Sequence, residues 1–495
     1  MNLVVAPFAI SLAAAALTLL LTEKSGLQKA LSFLMSLLTF VASMALVAFV
    51  YQNGTQTLNV GSWPAPYGIT LVADPFSAIM VGITGLITLA ASLYTFGGMK
   101  LEGDFKFFPP LFHFMMAGVF GSFLTGDLFN LFVCFELLLL ASFVLMVMGK
   151  EKAQLEGGLK YILINLVSSA FFLSALGLLY GKVGALNMAE IALRLQNSPD
   201  PQVVMITGTL FLISFSIKAA LFPFNFWLPS SYHHCHPLIS GIFAGLLTKV
   251  GIYALMRIFP LILIHELAYF KGLLLVIAGL TMVTGVLSAA TEYNTRRILS
   301  FHIISQLGYI ALGVAIFTPF SIAATIFYFI HHIITKTNLF FSAGLLHLIF
   351  GHDKIKLMGG LYKRSLPISI IFALSAFSLA GMPPLSGFFG KFFILKAAYL
   401  DGQWVLMFTG IAVGALTLFS MIKIWNQAFW KALPEGEKEP EIKVGVGPML
   451  SATLLAISIV LIGIFAGPLF DFAIKAGDQI VDPAAYIQAV LGVVL

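Results

Sequence analysis

Apolar runs of about twenty residues, each near the length an α-helix needs to cross a bilayer, recur along the whole chain between short polar interruptions. On this pattern the chain holds about fourteen candidate spans: 3–22, 29–51, 70–97, 108–125, 127–148, 159–180, 203–228, 237–259, 267–290, 298–317, 321–350, 366–400, 404–430 and 448–470. They are numbered span 1 to span 14 below. An amphipathic tail, 478–495, follows the last of them. The longest polar stretches, 51–70 and 181–202, are about twenty residues each and too short to bury a core of their own. Nothing basic precedes the first span and Lys24 follows it, as expected of a retained helix and not a cleaved signal. The expected fold class is therefore an all-α polytopic membrane protein.

Composition agrees, with 59% hydrophobic residues, 10% charged and a mean hydropathy of +0.99. The net charge of +6 sits in short loops and forms no basic patch, which argues against nucleic acid and for a topology signal. Loops after odd-numbered spans carry sixteen lysines and arginines (Lys24, Lys29, Lys100, Lys106, Lys150, Lys152, Lys160, Arg296, Arg297, Lys354, Lys356, Lys363, Arg364, Lys431, Lys438 and Lys443). The other side carries five: Lys182, Arg194, Arg257, Lys271 and Lys475. The positive-inside rule then places the odd loops in the cytoplasm and both termini outside, with lipid around the bundle.

Six basic residues remain inside spans: Lys218, Lys249, Lys336, Lys391, Lys396 and Lys423. A lysine at bilayer depth costs about 2.5–3.5 kcal/mol on insertion scales, so it faces a bundle interior or water and marks a functional site. Lys396 and Lys423 are close enough to helix ends to snorkel. Lys249 is not, lying twelve residues past Pro237, or about 18 Å at helical rise. Glu136, nine residues past Asp127, is the one carboxylate placed deep in the bilayer. Asp127 and Asp74 sit at helix starts, where capping accounts for a carboxylate as well as transport does.

Two spans look interrupted. Pro223 follows Lys218 in span 7, and Pro383 and Pro384 precede Lys391 in span 12. Broken helices five spans apart point to an internal repeat, and five is odd, so the two repeats run in opposite directions. The expected organisation is residues 1–107 (spans 1–3), 108–259 (spans 4–8), 260–430 (spans 9–13) and 431–495 (span 14 and the tail). Span 11 adds His332 and Lys336 on one helical face, extended a turn by Tyr328. A proton path is the expected use of these groups. The run His233, His234, Cys235, His236 carries zinc-ligand types, but four consecutive residues cannot converge on one tetrahedral ion, so no metal is expected and a proton-collecting role is the alternative. The two cysteines form no disulfide framework, and no dinucleotide or haem motif suggests a cofactor.

Several stretches together resemble the membrane subunits shared by Mrp-type cation/proton antiporters and respiratory complex I. They are DLFNLFVCFE ending at Glu136, PFNFWLP after Lys218, AGLLTKVGIYALMR around Lys249, HHIITKTNLF around Lys336, and AGMPPLSGFFGKF with Lys391. The likeness spans nearly the whole chain and is nearest to the D-type branch of the Mrp antiporters. It implies fourteen helices, inverted repeats broken at helices 7 and 12, a prokaryotic inner membrane, partner subunits, and exchange of Na+ for H+ by one component of a transporter, not an enzyme. It also implies a relay in which Glu136 holds a proton on Lys218 and releases it through Lys249, His332 and Lys336 to Lys391. Larger relatives carry two histidines one turn apart in span 11; here the first position is Tyr328. The alternative reading is a pumping subunit of complex I or a related hydrogenase, with the redox chemistry in other subunits.

Overall fold

A computed structural model describes residues 2–197, 200–263, 266–437, 439 and 442–492. Lys438 and the last three residues of the expected tail lie outside the described residues. Among those described, twelve helices are long and apolar enough to cross a membrane, and two shorter apolar ones, Ala6–Leu19 and Leu366–Ala380, fall where spans 1 and 12 were expected. The expected polytopic helical fold is therefore observed.

Side-chain polarity is turned inward, as it must be where lipid is as apolar as leucine. In Ser25–Asn53 (span 2) the buried positions include Gln28, Ser32, Ser36, Thr39 and Ser43, with Leu46 and Val50 further along, while Leu34, Leu38 and Val41 face out. Lys152–Val183 (span 6) likewise buries Asn165, Ser168 and Ser169 and exposes Leu159, Leu163 and Leu166. Pro237–Ile262 (span 8) is wholly enclosed, and Thr295–Ile316 (span 10) nearly so, whereas span 2 and Trp404–Trp430 (span 13) lie at the rim.

Loop contacts sort the two ends of the bundle. At one end Lys106 pairs with Glu23 (2.6 Å), Gln154 Nε2 donates to the His234 carbonyl (3.0 Å), and the Gly360 N–H donates to the Lys431 carbonyl (2.6 Å). Arg296 there pairs with Asp353 and donates to the Cys235 carbonyl. Burial works against the Asp353 charge, but the His347 hydrogen bond and Arg296 together hold its carboxyl below the usual range. All these loops follow odd-numbered spans, so this end is called the basic face. At the other end the Gly126 N–H donates to the Thr70 carbonyl (2.8 Å) and Lys271 pairs with Asp401 (2.9 Å).

Three features depart from the expectation. The stretch 51–70 contains half of a β-hairpin, β1 (Gln56–Asn59) against β2 (Thr70–Ala73), and 181–202 contains the helix Met188–Asn197. The tail starts earlier, because span 14 ends at Ile464 and an amphipathic helix, Ala466–Val481, then lies across the bundle, followed by Ala484–Leu491. It buries Phe470, Phe472 and Tyr486, and Gln479 reaches Thr55 at 2.7 Å. Arg257 is also not a loop charge. It is buried in span 8, bidentate to Asp74 at 2.5 and 2.9 Å, with Tyr253 beside it. Asp74 meanwhile caps Pro75–Gly98 (span 3) by accepting from the Ser77 N–H, and Asp127 caps Leu128–Val147 (span 5) through Asn130.

The Asp74–Arg257 pair ties span 3 to span 8 with almost no solvent contact, so removing one partner strands a buried charge. Arg257→Met is expected to destabilise the assembled protein by about 3–5 kcal/mol, and Asp74→Leu/Arg257→Met to recover most of that loss. Thermal unfolding of the two purified variants checks this; equal losses in both would show that packing, not charge, sets the cost.

Candidate functional site

Span 7 is helical only over Pro201–Lys218. The backbone then breaks through Ala219–Pro223 before two short turns, Phe224–Phe226 and Trp227–Ser231. Proline removes a donor and blocks the next turn, and at this depth the loose polar groups must be met by protein. They are: the Ile217 carbonyl accepts from Trp227 Nε1 (3.1 Å), and the Phe222 N–H donates to Thr281 (2.9 Å). Lys218 is the last residue of the half-helix, where the dipole favours a cation. Its Nζ donates to Ser169 Oγ (3.4 Å) and lies 5.2 Å from the Phe135 ring. Ser169 in turn donates to Glu136 Oε1. Glu136 and Lys218 are thus brought together through a serine of span 6, which replaces the direct pair expected from sequence.

A cavity of about 20 Å³, room for about one water, lies beside Lys218 between Tyr161, Asn165, Tyr232 and Val250. Span 8 closes its far wall. A Cβ on Gly251 would stand 2.9 Å from the Ala219 nitrogen, so only glycine lets this helix come so close to the break. Span 8 carries its own irregularity, a π-helical turn at Phe243–Leu247. Such a turn breaks the i→i−4 ladder, and the fully buried Lys249 donates to the Ala244 carbonyl within it.

Pro319–Phe350 (span 11) crosses the centre. Lys336 donates to the Leu299 carbonyl (3.2 Å), and the charges of Lys249 and Lys391 both act on it. His332 lies within reach of the same three lysines, and neither of its ring nitrogens has a protein partner among the described residues. Tyr328 stacks parallel to the His332 ring at 6.1 Å and donates to Gln306. The neighbouring His331, not singled out from sequence, bonds Ser386 at 2.9 Å.

Ser386 opens the second half of span 12, Ser386–Leu400, whose first half ends at Ala380. Pro383 and Pro384 fill the break as expected. Lys391 reaches back across it to the Ala380 carbonyl (3.1 Å), the negative end of the first half-helix, and lies 5.3 Å from the Tyr309 ring. Gly381 makes that reach possible, since its φ of +94° suits glycine and a Cβ there would stand 3.0 Å from Lys391 Cδ.

The partly exposed Glu136 and the buried Lys218, Lys249, His332, Lys336 and Lys391 therefore form one polar band. Asp127 lies outside it, in its cap. Lys423, half-buried near its helix end, donates to the Ala290 (2.8 Å) and Glu292 (2.7 Å) carbonyls at the end of span 9, while Lys396 lies over Phe320. The histidine run packs at the basic face, where His236 Nδ1 accepts from the Leu238 N–H (3.3 Å) and so caps span 8. Burial, with His234 and Arg297 adding to it, pushes His233 down to about 3; burial, with Arg296 and His347, does the same to His236. Imidazoles held neutral near pH 7 are poor proton collectors, which weighs against the proton-collecting alternative. Ser169, His302, Gln306 and Tyr309 were missed from sequence. The last three had a signal, polar residues at helical spacing in span 10.

The family described as NADH:quinone oxidoreductase/Mrp antiporter, TM, matches residues 125–417, more than half of the chain and all six residues of the polar band. The chain is 42% identical over 490 residues to the D-type component of the Na(+)/H(+) antiporter of Alkalihalophilus pseudofirmus, covering 99% of each. Its fold is similar to a chain of the Mrp complex from Dietzia sp. DQ12-45-1b, with a TM-score of 0.93, 31% identity and coverage of 99% and 100%. It is also similar to a chain of the membrane-bound sulfane sulfur reductase, an archaeal respiratory membrane complex, at a TM-score of 0.92, 28% identity and 99% coverage of each. The chain thus belongs to the antiporter-like membrane subunits of the NADH:quinone oxidoreductase/Mrp antiporter family, and its relatives there include the D-type components of sodium/proton antiporters.

Proposed function

We propose that this chain is the proton-translocating subunit of a multisubunit sodium/proton antiporter. The observation that carries the reading is that Lys249, Lys336 and Lys391 donate to backbone carbonyls inside the bundle, the first and last of them at interrupted helices. A neutral acceptor steadies an ammonium without locking its proton, whereas a buried carboxylate pair, such as Asp74 with Arg257, is static. The relay begins at the Glu136–Ser169–Lys218 bridge. While the bridge is closed the carboxylate supports a proton on Lys218; when it opens, the charge loses that support and the proton moves through the adjoining cavity toward Lys249. From there it passes by His332 and Lys336 to Lys391. Two five-helix repeats of opposite direction, 108–259 and 260–430, are the reading that the two breaks support, one break to each. The clustering of odd-loop contacts at the basic face supports cytoplasmic odd loops and both termini outside. Partner subunits complete the complex, and the sodium path lies at least in part with them, because oxygen ligands near the relay are few.

Lys218→Ala and Glu136→Ala are expected to abolish cation-driven proton exchange in a complex that still assembles; full exchange in an assembled Lys218→Ala complex removes the relay. Ser169→Ala, which cuts the bridge and keeps both charges, is expected to slow exchange by about tenfold, taking roughly 1.4 kcal/mol for the lost hydrogen bonds to charged groups. Exchange is read as sodium-dependent loss of a proton gradient in inside-out vesicles.

The likeness to a respiratory complex supports a second reading, in which redox partners drive the same relay. Vesicles energised by ATP hydrolysis, with sodium, potassium or lithium added and no electron donor, separate the two. Antiport predicts cation-dependent gradient loss that Lys218→Ala eliminates. No response to any cation in an assembled complex favours the redox-driven reading.

A further inference from the structure

Span 10 carries a polar line that the relay above does not use. His302, Gln306 and Tyr309 follow one another at spacings of four and three, on one face of a buried helix. Gln306 accepts from Tyr328 and lies 3.4 Å from Thr417 of span 13, while the Tyr309 ring stands beside Lys391. At the other end of the line is His302, fully buried, with neither ring nitrogen partnered by protein among the described residues. A buried unpaired polar group costs about 1–3 kcal/mol, which an apolar side chain there would avoid.

Its neighbours are charged. Lys336 is bound to the carbonyl of Leu299, one turn from His302 on the same helix, and the charges of Lys336, Lys391 and Lys423 all act on the ring. Lys423 lies six residues past Thr417, about 9 Å nearer the basic face at helical rise, and His302 lies about 6 Å nearer it than Gln306. The two are therefore at similar depth. Lys423 is half-buried, and the carbonyls that hold it, Ala290 and Glu292, end the neighbouring helix Leu267–Thr291 (span 9) at that face.

We infer that Lys423 and His302 form a proton-conducting branch joining the basic face to the relay at Lys336 and Lys391. An imidazole takes a proton on one ring nitrogen and gives one up from the other, so His302 passes a proton without a net change. Lys423, half-buried and held by the end of span 9, is the member of the pair nearer the basic face. The inference rests on the relay reading above.

The test uses the complex assembled with its partner subunits in inside-out vesicles, with co-purified subunits as the measure of assembly. His302→Gln keeps a polar side chain of similar size but carries no proton. It is expected to lower sodium-dependent proton exchange on the order of a hundredfold, the low end for losing a positioned proton-transfer group. Lys423→Met is expected to lower it as well, and Lys391→Ala, in parallel, to abolish it. Exchange lost in Lys391→Ala but at the wild-type rate in His302→Gln overturns the branch alone. Full exchange in Lys391→Ala overturns the relay and the branch with it. Where His302→Gln does not assemble, Lys423→Met decides, and wild-type exchange there overturns the branch.

Discussion

A lysine at the middle of a membrane bundle needs lone pairs to donate to, and an intact helix keeps its carbonyls occupied. For Lys391 and Lys249 the architecture meets that need by interrupting helices, while Lys336 shares the Leu299 carbonyl of the unbroken span 10. The break in span 12 frees the Ala380 carbonyl for Lys391, and the π turn in span 8 offers Ala244 to Lys249. Span 7 uses the same physics at its own end, with Lys218 standing where a half-helix stops. Around these irregular points the other helices are arranged as cover, donating a tryptophan, a threonine or a serine to each loose backbone group.

Two kinds of buried charge result. Asp74–Arg257 and Arg296–Asp353 are matched, multiply bonded pairs near the two ends of the bundle, and they hold helices and loops in register. Between those ends the lysines rest on neutral oxygen, and the one nearby carboxylate, Glu136, acts through a serine. Fixed ion pairs thus bracket lysines held on neutral oxygen, and on the proposed reading protons pass only between them.

Much of this was legible in the sequence. Span count follows from run length, and the burial of Lys218, Lys249, Lys336 and Lys391 follows from what a cation costs in lipid. Pro223, Pro383 and Pro384 announced their breaks because proline cannot continue a helix. The π turn was not legible, since Phe243–Leu247 contains no proline and its extra residue per turn leaves no trace in composition. Nor was Ser169, one of many small polar residues facing inward. Arg257 looked like a loop charge because its partner, Asp74, is far away in the chain. The hairpin hid in a polar stretch where strand alternation was too short to read.

The amphipathic helices at the end of the chain bear on biosynthesis. Ala466–Val481 and Ala484–Leu491 lie against β1, the ends of spans 3 and 11 and the helix Met188–Asn197, with Tyr486 buried beside Arg257. A translocon inserts helices in the order they emerge, so this strap arrives after every helix it fastens is already in the bilayer. Until then the face of Arg257 that meets the Tyr486 ring is uncovered. A chain without residues 466–491 would leave the preceding spans inserted and that end of the bundle unsealed, so these two helices complete the packing only after insertion.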